Sequence, residues 1–169
     1  SKDCWKVNTK GMKKLKVRYS YYAADLNAGS TFLNEEQLYV NPVNCCIYIP
    51  ERINDKYTLE LKLPNDYKTT LPLQKKKNEF TFNSFHHLAD SPFVASNSLK
   101  CQSFTVNKLV FRLWFQGECR PDFPKLVTDF SKFIKETLNV YKKAPFEEYD
   151  FIFQILPTRF YHGVEHTSS

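Results

Sequence analysis

The stretch Phe160 to Ser169 (FYHGVEHTSS) gathers two of the chain's four histidines, a glutamate, a glycine and three small hydroxyl residues, Thr167, Ser168 and Ser169. A carboxylate such as Glu165 can hold a cationic group through charge-assisted hydrogen bonds. An imidazole such as His166 changes charge near neutral pH, and Gly163 lets a second main chain come close. Polar groups that follow an apolar strand are a common place for sites. The plainer reading of the same residues is a solvated loop in which Glu165 and His166 make ordinary surface hydrogen bonds. Catalytic zinc is not expected in this chain. Such a metal needs three protein ligands and an open water position, and the H-E-x-x-H spacing that puts two histidines on one helical face is absent. Neither His86-His87 nor His162/His166 supplies it.

The other candidates point to structure instead of chemistry. His86 and His87 are adjacent, so an extended backbone would send them to opposite faces as a packing and surface pair. The Lys75-Lys76-Lys77 run, with Lys13, Lys14, Lys142 and Lys143, could make a basic patch, but the aromatics alternate into strand cores and no nucleic-acid motif is present. No nucleic-acid partner is expected. Ser91, Ser168 and Ser169 lack a G-x-S-x-G turn. The four glycines, Gly11, Gly29, Gly117 and Gly163, lie too far apart for a phosphate-cradling loop, which excludes nucleotide-binding loops. The five cysteines, Cys4, Cys45, Cys46, Cys101 and Cys119, contain no C-x-x-C, and in a strand Cys45 and Cys46 would face opposite ways. They read as reduced, buried thiols, with one or two surface disulfides as the alternative in a periplasmic setting. The compartment stays open between cytoplasm and periplasm.

The elements that must position these residues follow from patterning. With 169 residues, a formal charge of +6, 42% hydrophobic and 25% charged side chains, the chain is large enough to bury a core and far from the composition of disordered segments. No apolar run is long enough to span a membrane, and Ser1 to Lys10 has no apolar signal-peptide region; a soluble protein with no membrane partner is expected. Lys14 to Ala24 alternates at period two, with Leu15, Val17, Tyr19 and Tyr21 on one face, as a half-buried strand does. Further strands are expected at Gln37 to Val40, Cys45 to Ile49, Tyr57 to Leu63, Glu79 to Phe82, Gln102 to Val106 and Leu109 to Phe115, separated by turn formers. After Gly117 the period changes. Leu126, Val127, Phe130, Phe133, Ile134, Thr137, Leu138 and Tyr141 share one face of a helix, with Asp122 as N-cap, Pro124 in the first turn and Pro145 ending it. Tyr149 to Leu156 is apolar on both faces, as a strand covered from both sides would be. The expected fold is mainly β with one long helix. An antiparallel sandwich or saddle over residues 1–118 is followed by a second unit, 119–169, too small to cover its own strand and therefore read as the truncated opening of a larger domain.

The string HGVEHTSS resembles the G-G-x-E-H-x-x-S signature of the glycyl aminopeptidase family, zinc metallopeptidases related in plan to aminopeptidase N. Three more segments resemble that family in the same order: VRYSYYAADL (Val17 to Leu26) its first well-marked strand, FHHLADSPF (Phe85 to Phe93) its D-S-P segment, and the helix with APFEEYDFIFQIL (Ala144 to Leu156) its helix, turn and strand. The resemblance covers most of the chain.

It implies an N-terminal β domain followed by the first helix and strand of a thermolysin-like catalytic domain. The zinc helix would lie beyond Ser169, so zinc belongs to the parent enzyme, none is bound by this chain, and the chain alone should be inert. Gly163, Val164, Glu165 and His166 would be the substrate-side strand, pairing with an extended peptide. Glu165 would read the substrate's α-ammonium, and His166 would orient it or touch substrate. His162 stands where the family carries its first glycine, which alters the approach of the peptide there. The implied partners are a peptide substrate and the remainder of the chain's own catalytic domain. The rival from another class is a noncatalytic β-sandwich module that binds peptide or protein without cutting.

Overall fold

The computed structural model of the chain describes residues 3–72 and 78–169; the Lys75-Lys76-Lys77 run lies outside them. Among the described residues the strands are β1 (Phe32–Leu33), β2 (Gln37–Val40), β3 (Tyr57–Glu60), β4 (Lys68–Thr69), β5 (Glu79–Phe82), β6 (Phe93–Ser96), β7 (Lys100–Val106), β8 (Leu109–Gln116) and β9 (Glu148–Gln154). The helices are α1 (Pro42–Cys45), α2 (Phe85–Ala89) and α3 (Phe123–Tyr141). The expectation of a mainly β protein with one long helix holds. The strands form a four-stranded sheet in the order β1-β2-β6-β4, a β3-β5 pair and a three-stranded sheet β7-β8-β9.

Each sheet follows from its side chains. In the β3-β5 pair Tyr57 and Leu59 stand opposite Phe82 and Phe80, and these rings join Leu71, Phe85, Leu88 and Phe93 in one core. Strand β6 lies between β2 and β4 and is buried at every residue, which matches its all-small-or-apolar sequence FVAS. β7 and β8 form a hairpin whose turn residues Asn107 and Lys108 both have positive φ, 49° and 69°, the geometry that fits the right-handed twist of the flanking strands.

Helix α3 begins where expected: the Asp122 side chain accepts from Lys125 N at 3.0 Å, and Lys142 ends it in the left-handed region, its N–H donating to Leu138 O at 2.8 Å. The helix carries the chain back so that β9 pairs with β8 in parallel, from Val110 opposite Glu148 to Gln116 opposite Gln154. The two-sided reading of this strand is confirmed. Phe151 faces Val106, Phe111 and Ile134, while Ile152 packs with Tyr39, Val94 and Leu99. Gly117, at φ +104°, closes the end of β8, where a Cβ would lie 2.3 Å from Ile155 O; a side chain there is excluded by both sterics and backbone.

Three expectations are corrected. Lys14 to Ala24 is not a strand. It makes no ladder beyond an isolated bridge from Ala24 to Phe32, and Leu15, Val17, Tyr19 and Tyr21 are 44–53% exposed, because alternation creates a strand only where a neighbour supplies hydrogen bonds and cover. Cys45 to Ile49 is not a strand either. Asn41-Pro42 opens the short helix α1, with Pro42 pre-set for its first turn. His86 and His87 lie on α2, started by the Ser84 side chain accepting from His87 N at 3.1 Å, so they are not on opposite faces of an extended chain; both are exposed. The third sheet is mixed: β7 and β8 are antiparallel within residues 1–118, as expected, and β9 of the following unit runs parallel to β8. The division expected at residue 118 falls between these two neighbouring strands. No helix among the described residues is long and apolar enough to cross a membrane.

Candidate functional site

The site is assembled from the end of α2 and the segment that follows β9. Phe85 and Leu88 anchor α2 in the core. The Ser91 hydroxyl donates to His87 O at 2.6 Å and Pro92 directs the chain into β6, which leaves the Asp90 carboxylate projecting from the helix end. Residues 155–169 form no regular element. They return to the sheet nonetheless: Asp150 N donates to Ser168 O at 2.9 Å, and His166 N to Ser169 O at 2.7 Å.

Asp90 grips this returning segment. Its Oδ1 lies 2.9 Å from His166 Nδ1, and its Oδ2 accepts from Thr167 N at 2.9 Å and from Thr167 Oγ1 at 2.5 Å. Burial works against the charge, but the Thr167 hydroxyl, the His166 ring and the Thr167 amide outweigh it and hold the Asp90 carboxyl below the usual range. The His166 side chain is 15% exposed, and its Nε2 is covered without a hydrogen-bond partner among the described residues. Glu165 is exposed beside this cluster. Tyr149 feels both acids: burial first, then the negative charges of Glu165 and Asp90, push its phenol up.

A second carboxylate stands nearby in the sheet. Asp150 accepts from Arg112 Nε at 2.6 Å, Arg112 Nη2 at 3.0 Å and Trp114 Nε1 at 2.8 Å, while Arg112 also reaches Glu148 at 2.7 Å. These acids, chiefly Asp150, raise the Arg112 guanidinium still further above its ordinary value. A cleft of about 160 Å³ opens beside Asp150, lined among others by Thr70, Phe82, His87, Asp150, Ser168 and Ser169.

Of the residues singled out from sequence, His166 is tied into the fold, Glu165 flanks it, and Gly163 and Val164 are exposed, with nothing within 4 Å of a Cβ at Gly163. Asp90 and Thr167 as partners were not foreseen. Their separation of 77 residues leaves no periodic signal, although both belong to segments that carried the family resemblance. Among the described residues no group of three or more His, Cys, Asp or Glu could hold a metal. The donor set present therefore does not fit a catalytic zinc, and no chemistry of this chain is routed through one.

The fold has a solved counterpart. The crystal structure of an aminopeptidase N family protein from Idiomarina loihiensis superposes with a TM-score of 0.80 at 22% identity, covering 87% of this chain and 26% of that one. The chain thus spans about a quarter of that structure's length. No curated protein matches it in sequence. Residues 1–97 match the Peptidase M61 N-terminal domain. That match takes in more than half of the 169 residues, and the chain belongs to the Peptidase M61 N-terminal domain family.

Proposed function

We propose that this chain is the substrate-side portion of a metallo-aminopeptidase that removes N-terminal residues, of glycyl or alanyl type, from peptides. Its family is that of a peptidase N-terminal domain, and its fold is that of part of an aminopeptidase N family protein. The observation that carries the reading is the Asp90 grip on His166 and Thr167. It joins the two segments, D-S-P and G-V-E-H, that separately resemble the glycyl aminopeptidases, and it fixes the main chain directly after the proposed ammonium reader.

In this reading the exposed Glu165 carboxylate receives the α-ammonium of a peptide. Gly163 and Val164 present open main chain for the peptide to lie along as an added strand. Asp90 acts as a positioning residue, holding His166 and thereby the direction of Glu165. Zinc and its ligands belong to the rest of the parent enzyme, since the described residues hold no set that fits the metal. The division into units 1–118 and 119–169 is part of this reading, with the family match lying wholly within the first.

The test is Glu165→Gln in the full parent enzyme, assayed on glycyl- and alanyl-p-nitroanilide with zinc content measured in parallel. A hydrogen bond to a charged group is worth about 1.5–3 kcal/mol, so kcat/KM should fall about 10- to 100-fold with bound zinc unchanged. Unaltered kcat/KM would remove Glu165 from the site. A parent without peptidase activity, together with metal-independent peptide binding by this chain, would make it a noncatalytic binding module.

A further inference from the structure

Residues 14–23 run without a turn or bend, and among the described residues no main-chain N–H or C=O of residues 13–22 has a backbone partner. The end of this segment is fixed at the β1 edge of the four-stranded sheet, where Leu33 N donates to Ala23 O at 2.9 Å and Ala24 bridges to Phe32. Its middle is held by the Tyr19 hydroxyl, which donates to Cys45 O at 2.5 Å. Alternation sets Leu15, Val17, Tyr19 and Tyr21 on one side, 44–53% exposed, and Lys14, Lys16 and Arg18 on the other. Six cations, Lys6, Lys10, Lys13, Lys14, Lys16 and Arg18, lie between Asp3 and Asp25 with no acid among them, and the rest of the chain carries as many acids as bases. The whole formal charge of +6 is therefore concentrated here.

We propose that residues 13–22 form a docking edge for an acidic strand of the parent chain, drawn from outside residues 1–169, in which Asp or Glu alternates with apolar residues. The inference rests on reading this chain as part of a longer enzyme. It spans 26% of the aminopeptidase N family protein whose fold it shares, so a protein of that plan has most of its polypeptide elsewhere to supply the strand. An added strand pairs with the open main chain and covers the apolar row with its own. It also sets acids against Lys14, Lys16 and Arg18, the opposite-charge pairing that cross-strand neighbours favour. A second copy of the segment would oppose cation to cation. A lipid surface would attract the charge but leave the backbone groups unpaired in hydrocarbon. A nucleic acid would answer the cations through its phosphates and leave the apolar row and the amides unmet.

The experiment uses the full-length parent enzyme. Residue-resolved hydrogen exchange should show alternate amides of residues 13–22 slowed about 100-fold or more against unstructured chain, since a strand paired on one side bonds through every second residue. A carbodiimide, which joins an amine to a carboxylate in contact, should link Lys14 or Lys16 to an Asp or Glu outside residues 1–169. Mass mapping on a mixture of light and heavy-nitrogen-labelled enzyme should find that link within single molecules. Replacing Lys14, Lys16 and Arg18 together by Glu should cost the protection about 10-fold; the cross-linking arm needs no variant to fold. Free exchange across residues 13–22, links confined to acids within residues 1–169, links only between light and heavy molecules, or protection that appears only with phosphatidylserine vesicles or added RNA would overturn the docking edge. Exchange reads the same whether or not Glu165 holds a substrate, so failure of the strand and failure of the peptidase reading are separate outcomes.

Discussion

Two carboxylates lie at neighbouring places in this molecule and are satisfied in opposite ways. Asp150 sits inside the sheet, with a side chain 11% exposed, and its donors come from Arg112 and Trp114 on the adjacent strand. Asp90 is 41% exposed, and its donors come from His166 and Thr167 on a segment without regular structure. Each accepts three hydrogen bonds. The difference is what each bond set holds: Asp150 neutralises a guanidinium that would otherwise be stranded in the sheet, whereas Asp90 fastens a loop that would otherwise be free in water. The first is a condition of folding. The second positions a surface, and the Asp150 N to Ser168 O bond links the two.

Replacing Asp150 by Ala gives the largest expected effect. It leaves Arg112, 18% exposed, with only the half-exposed Glu148 as partner. Breaking a buried pair from one side costs about 3 kcal/mol or more, read as a fall in urea-unfolding free energy. Asp90→Asn should cost far less, about 1 kcal/mol, while hydrogen exchange at the Thr167 amide accelerates and the core strands keep their protection. Equal losses in the two variants would erase the distinction.

Acid sharpens the contrast. The folded Asp90 carboxyl is held below its ordinary value, so the folded state binds fewer protons there than the unfolded chain and the grip gains from rising pH. Its contribution is present above the unfolded carboxylate value of about 3.9 and is lost as pH falls through the lower folded value. Thr167 amide protection should persist at about pH 4 in the wild-type chain and be lost only as pH falls further, through the lower folded value, and be independent of pH in Asp90→Asn. The smallest effect is expected from Thr167→Val, which removes one exposed hydroxyl bond and should cost about 0.5 kcal/mol by the same unfolding measurement.

What could be read from sequence divides along the same line of local against distant causes. Helix α3 was legible from Asp122 to Tyr141 because its cap, its proline and its apolar face are all local. So were β2 and β5, whose limits match the expectation at both ends. Lys14 to Ala24 has the pattern of a strand without a partner, and period two says nothing about whether a neighbour exists. At Cys45 to Ile49 the Asn41-Pro42 helix start takes Cys45, and the apolar run after it, extended at Cys46 and at Ile49, has no strand to pair with. Glu165 and His166 were noticed as chemistry-bearing residues, yet the bond from His166 to Asp90 joins positions 76 apart, and only the folded chain brings them together.

The parallel union of β8 with β9 also dictates an order of events. The β7-β8 hairpin closes through a two-residue turn and can form on the microsecond scale. β9 cannot pair until α3 has spanned the intervening residues, because a parallel neighbour requires a crossover. On a ribosome β8 therefore emerges with its β7 edge met and its β9 edge waiting for more than thirty residues of synthesis, from Gln116 to Glu148. During that interval Phe111 and Phe115 lack the rings of Phe151 and Phe153 that later stack on them. The waiting hairpin edge is then open to aggregation and to chaperone capture.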